Sequence, residues 1–535
     1  NFAGYLSFDI QAEEGQKLVL RFGELLDEYG ELTQENIQCN KGKKKTPLQQ
    51  VVYRAKAGEN KYKTRFAIFG FQYVEIDTDI ALLAENFTGI AVYSGFTQTG
   101  RFRSSNQLLN RFVQAAIWSA KSNSADLPTD CPTRERHGWT GDAQIFFESA
   151  SYLFDYASFA KKYLRDVYDW QKKSGKLPQI APMGGVDFYM NVMNGSAGWS
   201  DIGILLPYHF WKLFGDEQIL EDYYDGMRAY AGFLMRRCGK WGGPYAKPLH
   251  LSGREKRFVV NTGQSYGEWA EPADVSVLHW YDFARPHPEV STAYTAYMMD
   301  LMEQIAVQLG KTEDIAGYHR YKEGCREAYR ELVKTKAYSL DTDRQARLVR
   351  PLAFGLLDKE QEKFAKKRLL QALENYGWRL GTGFLSTPLI LDVLMEIDPE
   401  AAYRLLENEE IPGWLSMPKA GATTIWESWE GPHAAAGVGS LNHYSKGAIC
   451  RWLFASMCGI KPAGENAFLI SPQPGGHVMF AEASYYSVYG MVSSGWERKE
   501  DGKLEYRISI PANTTAAIIL PDGREYHYGA GNYQL

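Results

Sequence analysis

The sequence predicts a multidomain chain in which a central helical domain sits between two antiparallel β-sandwiches. Three observations predict it. The chain has 535 residues, well past the ~250–300 at which a single core usually stops growing. Its apolar period is two over residues 1–98, helical over 99–460, and two again over 461–535. Strand signals are scarce in the middle stretch, where about a dozen amphipathic helices fit.

In the first region, Leu18, Leu20 and Phe22 share one face of a strand, with turns at Glu14-Gly15 and Glu28-Tyr29-Gly30. The stretch Phe66 to Asp77 is β-branched and aromatic, with Gly70 inside it. In the middle region, Leu108, Phe112 and Ala116, beside Leu109, Val113 and Ile117, form an apolar helical stripe. Tyr223, Met227, Tyr230 and Leu234 form another, as do Ile315, Tyr318, Cys325 and Leu332. Leu301, Ile305 and Leu309 end at Gly310, a C-cap. No repeat marks a solenoid. Helical hairpins closing into an α/α toroid would bury so many apolar stripes around one core; an open helical domain is the alternative. In the last region Leu504, Tyr506, Ile508 and Ile510 alternate with polar residues, Pro511-Ala512-Asn513 breaks the strand, and Ala516 to Leu520 resumes it.

Composition removes several functions. The net charge is −5 with both signs interspersed, so a nucleic-acid partner has no electrostatic footprint. The run Lys41-Gly42-Lys43-Lys44-Lys45 is short and reads as a solvated loop. No apolar run is long enough to span a membrane. The six cysteines, Cys39, Cys131, Cys238, Cys325, Cys450 and Cys458, lack zinc spacing and read mostly as buried thiols, with a disulfide left open. No signal peptide is visible from Asn1 onward, and the compartment stays open between the cytoplasm and periplasm of a bacterium. The oligomeric state is also open, a homodimer included. The 14 Trp, 34 Tyr and 26 Phe exceed ordinary needs. Most serve the core, and the remainder suit a cleft whose flat faces meet the apolar faces of sugars.

The densest polar segment is the loop Asp126 to Asp142, lying between two apolar helices. Asp142 is placed to N-cap a helix over 143–154. Glu135 lies among Asp130, Asp142, Arg134 and Arg136. Crowded carboxylates hold protons to higher pH, which a general acid requires; an ion-pair cluster is the alternative. A second loop, Met417 to Gly431, flanks Glu427 with Trp426 and Trp429, and His433 and His443 follow. His433 reads as structural. Trp199 with Asp201, and Glu268 with Trp269, repeat the pairing of an acid with a tryptophan. Four such loops suit glycoside hydrolysis, in which one carboxylic acid protonates the leaving oxygen and a second carboxylate activates water.

Residues 130–142, Asp-Cys-Pro-Thr-Arg-Glu-Arg-His-Gly-Trp-Thr-Gly-Asp, resemble the signature loop of bacterial α-L-rhamnosidases. Thr-Thr-Ile-Trp-Glu-Ser-Trp at 423–429 resembles their base-bearing loop. Residues 70–74 resemble the last sandwich strand before their barrel, and 508–515 their C-terminal sandwich. The resemblance implies a central (α/α)6 barrel and removal of a terminal non-reducing α-L-rhamnose from a glycan or glycoside with inversion. It makes Glu135 the general acid and Glu427 the general base. It gives Asp130 and Asp142 to the sugar hydroxyls, lines the pocket with Trp139, Trp199 and Trp269, and adds hydrogen bonds from Arg134 and His443. Asp201, Glu268 and Trp426 join the substrate-binding set. No metal or cofactor is needed. Two positions depart from the pattern: His137 stands where an apolar residue is common, and Glu268 where an aspartate is usual. The amino-terminal domains of larger relatives are not seen. A toroidal hydrolase specific for another sugar, a non-catalytic carbohydrate-binding protein and a polysaccharide lyase are the rival readings.

Overall fold

The computed structural model of the chain describes every residue except 39–48, 184–191, 243–245, 247, 248, 250, 252, 278 and 435–438. Cys39 and the lysine run at 41–45 lie outside the described residues.

The N-terminal unit is a sandwich of two sheets. Strand Phe2–Ala12 pairs antiparallel with Gly58–Tyr62, Phe69–Phe71 and Phe87–Ala91. The facing sheet runs Gln50–Arg54, Lys17–Gly23, Tyr73–Thr78. Leu18, Leu20 and Phe22 are fully buried on the expected face, against Phe8, Ile10, Phe69 and Phe71. Truncating any of these three to alanine would cost about 2–5 kcal/mol. The stretch Phe66 to Asp77 is two strands in opposite sheets. They meet at Gln72, whose backbone N–H donates to the Gly23 carbonyl at 2.9 Å. Residues 70–74 are therefore not the last strand of this sandwich; Phe87–Ala91 is, because Phe2–Ala12 is long enough to hold a third partner.

The expected helical stripes are helices Gln107–Ser122, Gln218–Arg237, Pro288–Gln308 and Thr312–Leu332. Pro288–Gln308 and Thr312–Leu332 form a hairpin through Gly310, whose φ of 65° is the left-handed conformation a glycine C-cap supplies. Helix Thr140–Leu153 packs on Ile202–Phe214, which packs on Pro288–Gln308; Gln345–Ala353 packs on Ile390–Ile397. Ion pairs continue the path. Arg350 meets Glu289 at 2.9 Å, and Arg451 meets both Asp392 and Glu148. Among the described residues, no helix is long and apolar enough to cross a membrane.

The C-terminal unit is a second sandwich. One sheet holds Phe480–Ser487, Gly490–Arg498, Leu504–Ile510 and Gly531–Gln534. Its edge strand, Arg101–Ser104, comes from the range assigned to helices and pairs antiparallel with Phe480–Ser487. Four residues are too few to show a period, so this strand leaves little trace in the sequence. The other sheet holds Ile460–Pro462, Ala467–Ile470, Thr515–Ile519 and Glu525–Tyr528. It is not wholly antiparallel as expected: Ala467–Ile470 and Thr515–Ile519 run parallel. The chain leaves for three strands of the opposite sheet between them and returns from the same end, the crossover that parallel pairing requires. Tyr506, Ile508 and Ile510 face the core as their alternation predicts.

The described cysteines are free thiols. Cys131, Cys325, Cys450 and Cys458 are buried and Cys238 is half-buried.

Candidate active site

The 130–142 loop is pinched at its base. The Asp130 backbone N–H donates to the His137 carbonyl at 3.0 Å, and the His137 N–H donates to Asp130 Oδ1 at 3.0 Å. This turns Arg134 and Glu135 toward the centre of the helical domain. The helix that follows is Thr140–Leu153, so Asp142 is not an N-cap but sits inside the first turn. The helix starts earlier than expected because the Thr140 N–H is already satisfied by the Gln179 carbonyl at 2.9 Å. A side chain at Gly141 would strike the Trp199 ring, so glycine there lets the indole lie against the helix start.

Glu427 arrives from the opposite side. Its loop runs beside 440–443: the Glu427 N–H donates to the Ser440 carbonyl at 3.0 Å, and the His443 N–H to the Ile425 carbonyl at 2.8 Å. Arg134 joins the two loops. Its Nη2 donates to Glu135 Oε1 at 2.8 Å and to Glu427 Oε2 at 3.0 Å. The two oxygens thus lie within twice 3.0 Å of each other. Glu135 Oε2 also accepts from Trp139 Nε1 at 2.8 Å, and Glu427 Oε2 from the Ser440 N–H at 3.2 Å. Glu427 is almost fully buried, whereas the Glu135 side chain keeps 29% of its surface exposed.

Both glutamates open onto one cavity of about 110 Å³, lined by Asp130, Glu135, Trp139, Asp142, Trp199, Tyr266, Trp269, Phe384, Glu427 and His443. Its electrostatics are lopsided. Burial pushes the Glu427 carboxyl up to about 7, against the pull of Arg134 and with help from Glu135. Burial pushes Asp142 up to about 8, although Ser445 Oγ donates to its Oδ1 at 2.9 Å. Asp130 is likewise raised, by burial and then by Glu135 and Asp142. His443 Nε2 lies 3.2 Å from Asp142 Oδ1. Burial, then Lys446 and Arg134, keep this imidazole neutral. Its Nδ1 has no hydrogen-bond partner among the described residues, which leaves an acceptor for a hydroxyl.

Family models account for almost the whole chain. The bacterial α-L-rhamnosidase concanavalin-like domain matches residues 1–93, the six-hairpin glycosidase domain 97–457, and the C-terminal domain 459–533. This chain belongs to the bacterial α-L-rhamnosidase family. It is 32% identical over 539 residues to an α-L-rhamnosidase of Formosa agariphila, covering 97% of this chain and 54% of that protein. It is 30% identical over 532 residues to an α-L-rhamnosidase of Streptomyces avermitilis, covering 97% of this chain and 48% of that one. The crystal structure of Streptomyces avermitilis α-L-rhamnosidase complexed with L-rhamnose superposes on all of this chain and 51% of that one, with a TM-score of 0.86 at 29% identity. The α-L-rhamnosidase of Aspergillus terreus gives 0.85 at 26% identity, covering 100% of this chain and 61% of that one. The chain thus spans about half the length of the curated rhamnosidases it matches.

Not every expected residue of this rhamnosidase-family site reaches the cavity. Asp201 accepts from the Gly198 N–H at 2.6 Å and from Tyr230 Oη at 2.8 Å, and so fixes the turn carrying Trp199. Glu268 pairs with Arg350 and accepts from the Ser386 N–H at 2.6 Å, which holds the neighbouring Trp269 in place. Trp426 packs on Gly431 within the loop that carries Glu427. These three, and Arg134, lie outside the cavity lining; Asp201 and Glu268 are held by Tyr230 and Arg350, and Arg134 by the two glutamates. Conversely, two lining residues escape the sequence reading. Tyr266 is the hub of an aromatic cluster, with ring centroids 4.8 Å from Trp199, 5.6 Å from Trp139 and 5.8 Å from Trp269. Phe384 lies 5.1 Å from His443. Tyr266 stands two residues before the Glu268-Trp269 pair; Phe384 carries no local signal. Lys446 was also missed. Its buried Nζ donates to the carbonyls of Glu427 and of Ala270, and lies 4.5 Å from the Trp429 ring centroid.

Proposed function

We propose that this chain hydrolyses a terminal, non-reducing α-L-rhamnoside with inversion, using Glu135 as general acid and Glu427 as general base. The observation that carries the reading is the pair of glutamates, nearly three hundred residues apart in sequence, opening onto one small aromatic cavity. The cavity is far below the ~300–1,000 Å³ of pockets for drug-sized ligands, which suits one sugar ring at a chain end.

The more exposed Glu135 faces the leaving group and protonates the glycosidic oxygen. Glu427 takes a proton from water, which attacks the anomeric carbon from the opposite face. Asp130, Asp142 and His443 Nδ1 receive the sugar hydroxyls, and Trp139, Trp199 and Trp269 cover its apolar faces. Arg134 keeps the two carboxylates in register, so the sugar meets them already placed. The complex of the Streptomyces avermitilis α-L-rhamnosidase with L-rhamnose supports the choice of sugar. We further propose that the packed helices close as an (α/α)6 barrel, since packing and ion pairs lead from Thr140–Leu153 around to Arg451 and back to Glu148.

Hydrolysis of p-nitrophenyl α-L-rhamnoside, followed by NMR of the first-formed sugar, tests the proposal. Inversion gives β-L-rhamnose first. Inverting pairs are usually ~6.5–9.5 Å apart and retaining pairs ~5–5.5 Å. The closeness of the two arginine-bound oxygens therefore favours a second reading, a retaining route with Glu427 as nucleophile. Release of α-L-rhamnose first would select it and remove the water-activating role of Glu427. A panel of aryl glycosides separates rhamnose from other sugars, and products that absorb in the ultraviolet would indicate a lyase.

A further inference from the structure

The N-terminal sandwich reaches the base loop through a buried carboxylate. Glu24 lies between strand Lys17–Gly23 and the short strand Leu25–Leu26, and only 1% of it is exposed. It makes no ion pair among the described residues. Its oxygens instead take three N–H donors: Asn1 Nδ2 at 3.1 Å, Asn36 Nδ2 at 3.0 Å and the Leu441 backbone N–H at 3.3 Å. Asn36 Nδ2 also donates to the Gly439 carbonyl at 3.4 Å. The sandwich therefore grips residues 439 and 441, on both sides of Ser440. Ser440 in turn holds Glu427 twice: its carbonyl accepts the Glu427 N–H, and its own N–H donates to Glu427 Oε2.

We propose that Glu24, assisted by Asn36, is a positioning residue of the active site, setting the place of Glu427 through the segment 439–441. This rests on the assignment of Glu427 as the base. A buried carboxylate is costly unless its oxygens are used, and here one of them fixes the strand that carries the hydrogen bond to Glu427. An alanine or apolar residue at 24 would leave the Leu441 N–H without its acceptor and free the segment to shift. Shifts of about 1 Å at a reacting group cost about a hundredfold in rate. Glu24 lines no part of the sugar cavity, so substrate binding should be largely spared.

The test measures kcat and KM on p-nitrophenyl α-L-rhamnoside, together with amide hydrogen exchange over residues 439–443. Glu24→Ala should lower kcat at least about tenfold, change KM less than about threefold, and speed exchange in that segment. Asn36→Ala should do the same more weakly, by a few-fold in kcat. Tyr29→Ala, at an exposed position of the same domain, should leave kcat within twofold. Should Glu24→Ala fail to fold, Glu24→Met, which keeps the bulk but offers no oxygen to the three donors, should show the same loss of kcat and the same faster exchange. A folded variant at 24 with wild-type kcat and unchanged exchange overturns the proposal. If the wild-type chain does not cleave the aryl rhamnoside, the proposed function fails, and exchange in 439–443 still decides the clamp.

Discussion

Two clusters of buried acids in this chain are built on opposite plans. Around the cavity lie Asp130, Glu135, Asp142 and Glu427, and Arg134 pairs with Glu135 and Glu427. Behind Trp269, Glu268, Glu271 and Glu289 meet three arginines: Arg350 pairs with Glu268 and with Glu289, Arg347 reaches Glu289 at 3.3 Å, and Arg344 Nε donates to Glu271 at 2.7 Å. The second cluster nearly balances its charge and works as a brace. The first does not, and burial, reinforced by the neighbouring carboxylates, raises the proton affinity of Glu427, Asp142 and Asp130. A fold seeking only stability would have matched the first cluster as it matched the second. Buried carboxylates of raised proton affinity beside an open cavity are what the proposed proton transfer requires.

The comparison can be broken most sharply at the site. Glu427→Gln should lower kcat by about 10³–10⁴-fold without unfolding the chain, the upper range of a general acid–base contribution. Glu135→Gln should lose about 10²–10³-fold on rhamnosides with poor leaving groups, and less on p-nitrophenyl rhamnoside, whose leaving group needs less protonation. If both variants turn over substrate normally, the charge surplus has another purpose.

The brace should fail in the other way. Glu268→Ala removes one of the two carboxylates that Arg350 meets in the core and should cost about 3–5 kcal/mol of stability, read by denaturant unfolding. Enzyme that remains folded should keep a nearly normal KM. A large KM effect with intact stability would place Glu268 back at the sugar.

The acids of the cavity also separate by pH from Glu148, a carboxylate matched by His209 and Arg451 elsewhere in the helical domain. The acid limb of kcat/KM should show an apparent pKa of about 7, since the proposed mechanism needs Glu427 ionised and its carboxyl is held at about 7; the value belongs to the interacting pair of glutamates. Asp142, raised from 3.8 to about 8, binds its proton more tightly folded than unfolded. Its contribution to stability is therefore full below about 4 and is lost as the pH rises through 8. Asp142→Asn, which mimics the neutral acid, should gain in Tm over the wild type as the pH climbs from 4 to 8. Glu148 has the opposite sign. Burial raises its carboxyl, but His209 and Arg451 outweigh it and bring it to about 2. Its contribution is present above about 4.5 and is lost as the pH falls toward 2, so Glu148→Gln should cost most at neutral pH and least in acid.

Much of this was legible in the chain. Strands and helices follow from which face is buried, and that is written locally as a period of two or of 3.6, so Leu18, Leu20, Phe22 and the stripe from Leu109 to Ile117 fell where expected. Glu135 was legible because its carboxylate neighbours crowd one short loop. The short edge strand Arg101–Ser104 and the parallel pair in the C-terminal sheet were not, since strand partners are chosen by distant segments.

The sequence by itself determined the three regions, the two loops that carry the glutamates, and the excess of aromatics and acids near them. Only the tertiary structure decided which acids face the cavity. Asp201 found Tyr230 and Glu268 found Arg350, each well away in sequence, and both turned aside into supports. Tyr266 and Phe384 entered the lining, and Glu24 came in from another domain to hold the base loop. The physical reason is the same in each case. Burial makes a polar group seek whichever donor or acceptor the fold brings within about 3 Å, and that partner is set by the packing of distant elements, which local sequence does not record.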